Sequence, residues 1–378
     1  MSLFSLYLHV PFCLSKCGYC SFYSRKSDSA SEEAWLETTA GEAKNIGRIW
    51  EGRPPLRTIF IGGGTPTVLS CSSWARLLRI LEGAFDISEL REATVEANPC
   101  SLTEEHLRLW RDSFITRVSI GVQSMIDEEL RWLGRRHDRT MAAGAIDLSL
   151  NQGFDVSADL IFGLPLQTLR GWRDSLRRVT ALGVSHVSAY QLTLEPDTPL
   201  GKKLFHMENY GLPEGYPFYR FAQWYLPKKG LEQYEIASFA RVNHECLHNL
   251  AYWRQENVLA LGPSAWGYLS GSGLRYHNVS TLEEYLSVRD TLPLAGSERL
   301  EGRERGLEAA ILALRTRWGI DGAAFALRFG PALWEEIVSL LGRLPPRLVQ
   351  ADSTGARLTP EGMRVGNAIW VELLDSAK

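Results

Sequence analysis

The sequence has no excess of charge of one sign: 41 Lys+Arg stand against 44 Asp+Glu, a net −3 over 378 residues. That balance leaves no general electrostatic footprint for nucleic acid, and no nucleic-acid partner is expected. No apolar run approaches the roughly 20 residues that span a bilayer. This excludes a transmembrane segment and leaves only peripheral membrane association open. No basic stretch followed by a long apolar one opens the chain, so no signal peptide is expected. Cysteine is scarce, with six in all, too few for a disulfide scaffold at this length. Low-complexity segments and short repeats are absent. The expectation is a soluble, cytoplasmic protein of two or three packed units. What the chain does have is an ordinary globular balance, 45% hydrophobic and 22% charged, and three of its six cysteines crowded into "CLSKCGYC".

Short apolar, β-rich runs recur through the first half: Leu6–Val10, Thr58–Ile61, Ala93–Ala97, Arg117–Val122, Val156–Phe162 and His186–Leu194. Between them lie stretches of helical composition, Glu32–Trp50, Trp74–Phe85, Glu104–Arg111, Met141–Asn151 and Leu169–Leu182. Six alternations of strand and helix predict parallel βαβ units. Right-handed crossovers would curl them into an open barrel, an α/β fold of the partial (β/α)6 kind. The strands read as almost wholly apolar, as in a sheet covered on both faces. Two further strand–helix pairs, needed for a closed barrel of eight, are not evident after Leu194. The expected units are a barrel over residues 1–195, an elaboration over 196–294, and a C-terminal unit over 295–378. In the last, "RERGLEAAILALRT" has helical spacing, and "RLVQADSTGARLTPEGM" reads as strand, turn, strand and helix start. Helices followed by a small hairpin suggest a winged-helix-like unit.

In parallel α/β sheets, sites collect beyond the carboxyl ends of the strands. Unusual residues gather there on all six strands: the cysteines after the first, "GGGTP" after the second, Glu96 and Asn98 on the third, Gln123 on the fourth, Asp159 in the fifth, and Gln191 and Thr193 on the sixth. Any one of them reads equally well as a satisfied structural group; six on one rim point to a site. Glycine without a Cβ lets backbone groups approach a ligand closely, and it also suits a tight strand-to-helix turn. The Lys-Ser/Thr of a Walker phosphate loop does not follow the glycines.

Cys13, Cys17 and Cys20 are spaced C-x3-C-x2-C. Structural zinc is closed by four ligands, usually in paired spacings. His9 is the only nearby fourth donor, and as a strand residue it is expected to face the core or a neighbour. Cys71, Cys100 and Cys246 stand alone and read as small hydrophobes. A four-iron cluster normally takes four thiolates. Three leave one iron open, which marks a reactive site that a small molecule completes.

"CLSKCGYC", placed after the first strand of a partial barrel, resembles the signature of radical S-adenosylmethionine enzymes. "YLHVPFC", "IFIGGGTPT", "VEANP", "SIGVQS" and "DLIFGLP" resemble the HemN-like branch of that superfamily. The resemblance implies a 4Fe–4S cluster on Cys13, Cys17 and Cys20, with the amine and carboxylate of S-adenosylmethionine on the fourth iron. It implies that Tyr7 and Tyr19 line the cofactor, that Gly63, Gly64 and Thr65 meet the methionine amine, and that Glu96, Gln123, Arg135, Asp159 and Thr193 complete its binding. Part of that set contacts a second S-adenosylmethionine in the branch's decarboxylase.

Two functions occur in the branch. The oxygen-independent coproporphyrinogen oxidase carries a further cysteine two residues after the last cluster cysteine; here that residue is Phe22. It also has a longer segment before its first strand. Both differences weigh against a radical enzyme acting on a tetrapyrrole. "HNLAYW", His248 to Trp253, with "YQLTLEPDTPL" and "QYEIASFA", resembles the HemW family of haem chaperones. That resemblance implies haem as cofactor or cargo, a haem-acceptor protein as partner, and His248, Asn249, Tyr252 and Trp253 at the haem. An imidazole can ligate iron, and tyrosine and tryptophan can flank a porphyrin face. From residue chemistry alone, the favoured reading is that His248 and Asn249 cap and hydrogen-bond a loop while Tyr252 and Trp253 fill a core. His244 and Cys246 are competing ligands close by. Trp266 and Ser21 depart from the usual residues of the resembled proteins.

Overall fold

The computed structural model of the chain describes residues 3–204 and 214–375; the stretch 205–213 of the expected elaboration lies outside the described residues. Six parallel strands stand side by side in chain order: β1 (Phe4–Val10), β2 (Leu56–Gly63), β3 (Glu92–Ala97), β4 (Arg117–Gln123), β5 (Asp155–Phe162) and β6 (His186–Gln191). Helices α1 (Ser29–Ile49), α2 (Cys71–Ala84), α3 (Glu104–Arg111), α4 (Asp127–Trp132), α5 (Arg139–Asn151) and α6 (Leu169–Ala181) make the crossovers. Most start on a short polar side chain that accepts a first-turn N–H: Asp28, Ser70, Thr103, Asp138 and Thr168. Such caps satisfy donors that the helix leaves unpaired.

The strands are not uniformly apolar, as their composition suggested; they alternate. Leu6, Leu8, Ile59, Ile61, Val95, Val118, Ile120 and Val187 are fully buried beneath helices that contribute Trp35, Trp74, Trp110 and Trp172. The opposite residues, among them His9, Thr94, Arg117, Ser119, Ser157 and His186, face a cavity inside the curved sheet. The pleat sends successive side chains to opposite faces, so a sheet covered by helices on one side only needs apolar residues on that side only.

The sheet is also wider than expected. On the β6 edge lie β7 (Glu232–Gln233) and β8 (Ser238–Ala240). On the β1 edge, β9 (Val258–Leu261) pairs in parallel, followed by antiparallel β10 (Trp266–Leu269), β11 (Leu274–Asn278) and β12 (Leu294–Arg299). The order is β12-β11-β10-β9-β1-β2-β3-β4-β5-β6-β8-β7. Seven strands thus run parallel, and the sheet stays open. Helices α7 (Pro199–Leu204), α8 (Tyr216–Tyr225), α9 (Leu247–Trp253) and α10 (Leu282–Ser287) fill the connections.

The C-terminal part has its own core around Leu307, Leu314, Trp334, Ile337 and Trp370. It holds α11 (Gly302–Leu314), α12 (Gly322–Phe329), α13 (Pro331–Leu341), α14 (Pro360–Arg364), α15 (Gly366–Asp375) and a small sheet. That sheet consists of β13 (Ile320–Asp321), β14 (Val349–Asp352) and β15 (Gly355–Leu358), with β15 central. The hairpin β14–β15 occupies the stretch read as strand, turn and strand. No helix among the described residues is long and apolar enough to cross a membrane.

Candidate functional site

The loop after β1 is closed at its base by a short parallel pairing of Phe12 with Arg25 and Cys13 with Lys26. This pins Cys13, while the backbone of Gly18 farther along accepts the N–H of Leu200 at 2.8 Å. All three cysteines face one cavity of about 200 Å³ at the barrel mouth, shared with Tyr19, Gly63, Gly64, Thr65, Glu96, Asn98, Gln123, Arg135 and Asp159. The thiols are polarised by neighbours: the Cys13 sulfur lies 3.3 Å from the Thr65 hydroxyl, and the Arg135 guanidinium donates to Cys17 at 3.3 Å. Burial pushes the Cys20 thiol up. Among the described residues no three His, Cys, Asp or Glu side chains converge as a single metal ion requires. His9 is not a fourth donor here. It is buried, its Nε2 bonds the Tyr23 carbonyl at 3.0 Å, and burial lowers it to about 4.

The glycines serve the turn. Gly63 takes a left-handed φ of 104°. A Cβ there would strike the His9 ring, and one on Gly64 would strike the Phe12 carbonyl. The Gly64 and Thr65 N–H groups bond the Val10 and Phe12 carbonyls. The clearance therefore brings the end of β2 against the start of the cysteine loop, and the Thr65 hydroxyl reaches Cys13 as a result.

Glu96 and Asp159 face both this cavity and the next. Glu96 accepts the Gly63 N–H at 3.1 Å, and burial followed by the Asp159 charge pushes it up to about 8. Asp159 accepts from Ser119 at 2.8 Å and Ser157 at 3.2 Å, yet burial still raises it. These serines were not singled out from sequence. The only signal is the repeated Val-Ser in "RVSIG", "DVSAD" and "HVSAY", which puts Ser119, Ser157 and Ser188 on one face of adjacent strands.

A deeper cavity of about 600 Å³ occupies the barrel interior. Tyr7 lies there rather than at the mouth, with its hydroxyl 3.3 Å from His9 Nδ1. The α9 helix crosses this cavity. Glu92, at the start of β3, accepts the N–H groups of Leu247 at 2.8 Å and His248 at 3.1 Å, fixing the helix N-terminus. His248 is fully buried, stacked on Phe60 with ring centroids 5.2 Å apart. Its Nδ1 meets Thr58 Oγ1 at 2.9 Å, and that hydroxyl donates onward to Ser5. Thr58 must therefore accept from Nδ1–H, which leaves Nε2 as the basic nitrogen. Nε2 is buried without a hydrogen-bond partner among the described residues. Burial lowers His248 to about 3, so the ring is neutral. His244 is bonded to Asp155 at 3.0 Å and the Cys246 thiol to Glu92 at 3.3 Å.

A third cavity of about 1130 Å³ opens between the barrel and the C-terminal part. Trp253 and Thr193 line this one; Asn249 and Tyr252 line both it and the interior cavity. Trp266 also faces both, half exposed and stacked on His277 at 4.4 Å. The fold thus gathers most of the expected cofactor residues at the mouth, sets Tyr7 and His248 in the interior, and places Thr193 and Trp253 in the outer chamber.

Residues 7–179 match the Radical SAM superfamily, and residues 300–365 match the HemN C-terminal domain. The heme chaperone HemW of Bacillus subtilis is 33% identical over 97% of this chain and 98% of its own. The heme chaperone HemW of Mycobacterium tuberculosis is 33% identical over 89% and 87%. The solved structure of Escherichia coli coproporphyrinogen III oxidase (HemN) superposes with a TM-score of 0.82 over 98% of this chain and 90% of that one, at 21% identity, a likeness of fold. By its identity to these relatives along nearly its whole length, the chain belongs to the HemW family.

Proposed function

We propose that this protein takes up haem in the cytoplasm and passes it to a haem-requiring acceptor protein, on a scaffold that also holds a 4Fe–4S cluster and S-adenosylmethionine. The names of its relatives support the haem reading. The observation that carries it is His248: a neutral, buried imidazole in the wall of a cavity of about 600 Å³, its basic Nε2 without a hydrogen-bond partner among the described residues. A buried nitrogen left unpaired is costly, and a ligated iron would satisfy it. Phe60 and Tyr252 hold the ring from two sides.

The mouth fits the cluster and its ligand. Cys13, Cys17 and Cys20 would hold three irons, leaving the fourth to S-adenosylmethionine. Arg135 offsets thiolate charge at Cys17. Gly63, Gly64 and Thr65 would meet the amine of S-adenosylmethionine, Glu96, Gln123 and Asp159 would complete its binding, and Tyr19 would line it. When reduced, such a cluster supplies one electron for cleavage of the sulfonium.

Haem titration tests the proposal. His248→Ala is expected to weaken haem binding about tenfold or more and to shift its visible bands; unchanged affinity and spectrum would remove the motif as the haem site. Reconstituted protein incubated with reductant, S-adenosylmethionine and coproporphyrinogen is expected to give no decarboxylated product. Substantial product would overturn the chaperone reading.

A further inference from the structure

The outer chamber, about 1130 Å³, has the barrel on one side and the C-terminal part on the other. Of the charged side chains that face it, nearly all are engaged. Glu308 is held by Arg275 and by the Gln255 amide at 2.9 Å. Glu256 sits 3.4 Å from Arg57 and 3.9 Å from Arg254. Arg364 donates to Gln223 and Tyr216. Glu235 is buried, and burial pushes its carboxyl up against the opposing pull of Ser238 and Ala237.

Arg315 differs. It follows directly on α11, and its guanidinium lies over the Trp253 ring, 4.5 Å from the centroid. Its Nε is buried without a partner among the described residues, whereas its two terminal nitrogens are not buried and make no ion pair among those residues. Glu235 acts on it only from beyond ion-pair distance. The Trp253 Nε1 beside it is likewise buried and unpaired. A guanidinium with one buried, unpaired donor is unfavourable, and the fork of its terminal nitrogens matches a carboxylate. The chamber therefore offers a flat aromatic wall with a bidentate anion anchor at its edge, shared walls with the His248 cavity, and a lining that is mostly apolar.

We infer that Arg315 anchors a peripheral carboxylate of a tetrapyrrole, a haem propionate, so that the C-terminal part contributes directly to the cargo site. This rests on the haem reading above. The test compares haem with its dimethyl ester, titrated into the full-length chain. Wild type is expected to prefer haem by about tenfold, the scale of one charge-assisted pair. Arg315→Gln is expected to lose that preference while keeping its affinity for the ester, and Arg315→Lys to recover part of it. Iron–sulfur absorbance after reconstitution, unchanged in both variants, reports that the barrel has folded. Wild type binding haem and ester equally, or Arg315→Gln binding haem as tightly as wild type, overturns the inference and leaves the haem reading standing. Wild type failing to bind haem at all sinks both. Should Arg315→Gln not fold, the wild-type ratio of haem to ester decides alone.

Discussion

Glu96 shows what a single side chain contributes at the barrel mouth. Burial first, and Asp159 second, raise it to about 8. In the unfolded chain a glutamate titrates at roughly 4.3. Between those values the folded protein keeps a proton that the unfolded chain has lost. The Glu96 contribution to stability therefore falls as pH rises from roughly 4.3 to about 8, and the full cost is present above that. Glu96→Gln keeps the acceptor for the Gly63 N–H but not the charge. It is expected to stabilise the ligand-free protein at pH 8 by on the order of a few kcal/mol and to do little at pH 4. Thermal melts at the two pH values check this, and a gap that does not widen with pH contradicts it. At this scale the cysteines are legible from spacing, because the ligands of a cluster loop are neighbours in the chain. Ser119 and Ser157 are not, because only the register of β4 against β5 places them both on Asp159. The basic Nε2 of His248 is equally hidden in sequence, since its tautomer is set by Thr58 from a strand 190 residues away.

Among the elements, α9 matters most to the proposed function, and it is short. Seven residues do not make a stable helix alone. No side chain of its own caps it; the cap comes from Glu92 across the sheet. Carboxylates at a helix N-terminus stabilise by accepting N–H bonds and by opposing the helix dipole. Glu92→Ala is expected to cost about 1–3 kcal/mol in urea unfolding and to weaken haem binding, because it loosens the frame of His248. Unaltered haem affinity in a destabilised variant would separate the cap from the site. The barrel elements are readable from short apolar, β-rich runs separated by stretches of helical composition. The pairing of β9 onto β1 is not: Val258–Leu261 is only four residues long, and its partner lies some 250 residues earlier. Composition gives no account of such a distant parallel pairing, whose cost is loop closure and whose gain is a covered edge.

Two large hydrophobic cores stand out among the described residues. The larger lies between the sheet and its helices; the other sits within the C-terminal part. Ile337 is fully buried in the second. Ile337→Ala is expected to destabilise that part by about 2–5 kcal/mol. Iron–sulfur absorbance after anaerobic reconstitution is expected to be unchanged, since Cys13, Cys17 and Cys20 line the cavity at the barrel mouth and take no part in the C-terminal core. Loss of the absorbance would mean that the two cores fold as one. The separate C-terminal part shows in sequence through its change to helical periodicity, but the chamber it forms against the barrel does not, since no local pattern encodes the meeting of two surfaces.

Tyr190, Asn249, Tyr252 and Trp266 are party walls, each facing the interior cavity on one side and the outer chamber on the other; Glu96 and Asp159 stand likewise between interior and mouth. A guest on one side of such a wall sets the posture of the side chain that a guest on the other side must meet. Thermodynamic linkage then makes the effect mutual: whatever factor the sulfonium ligand lends to the grip on the pigment, the pigment returns in equal measure.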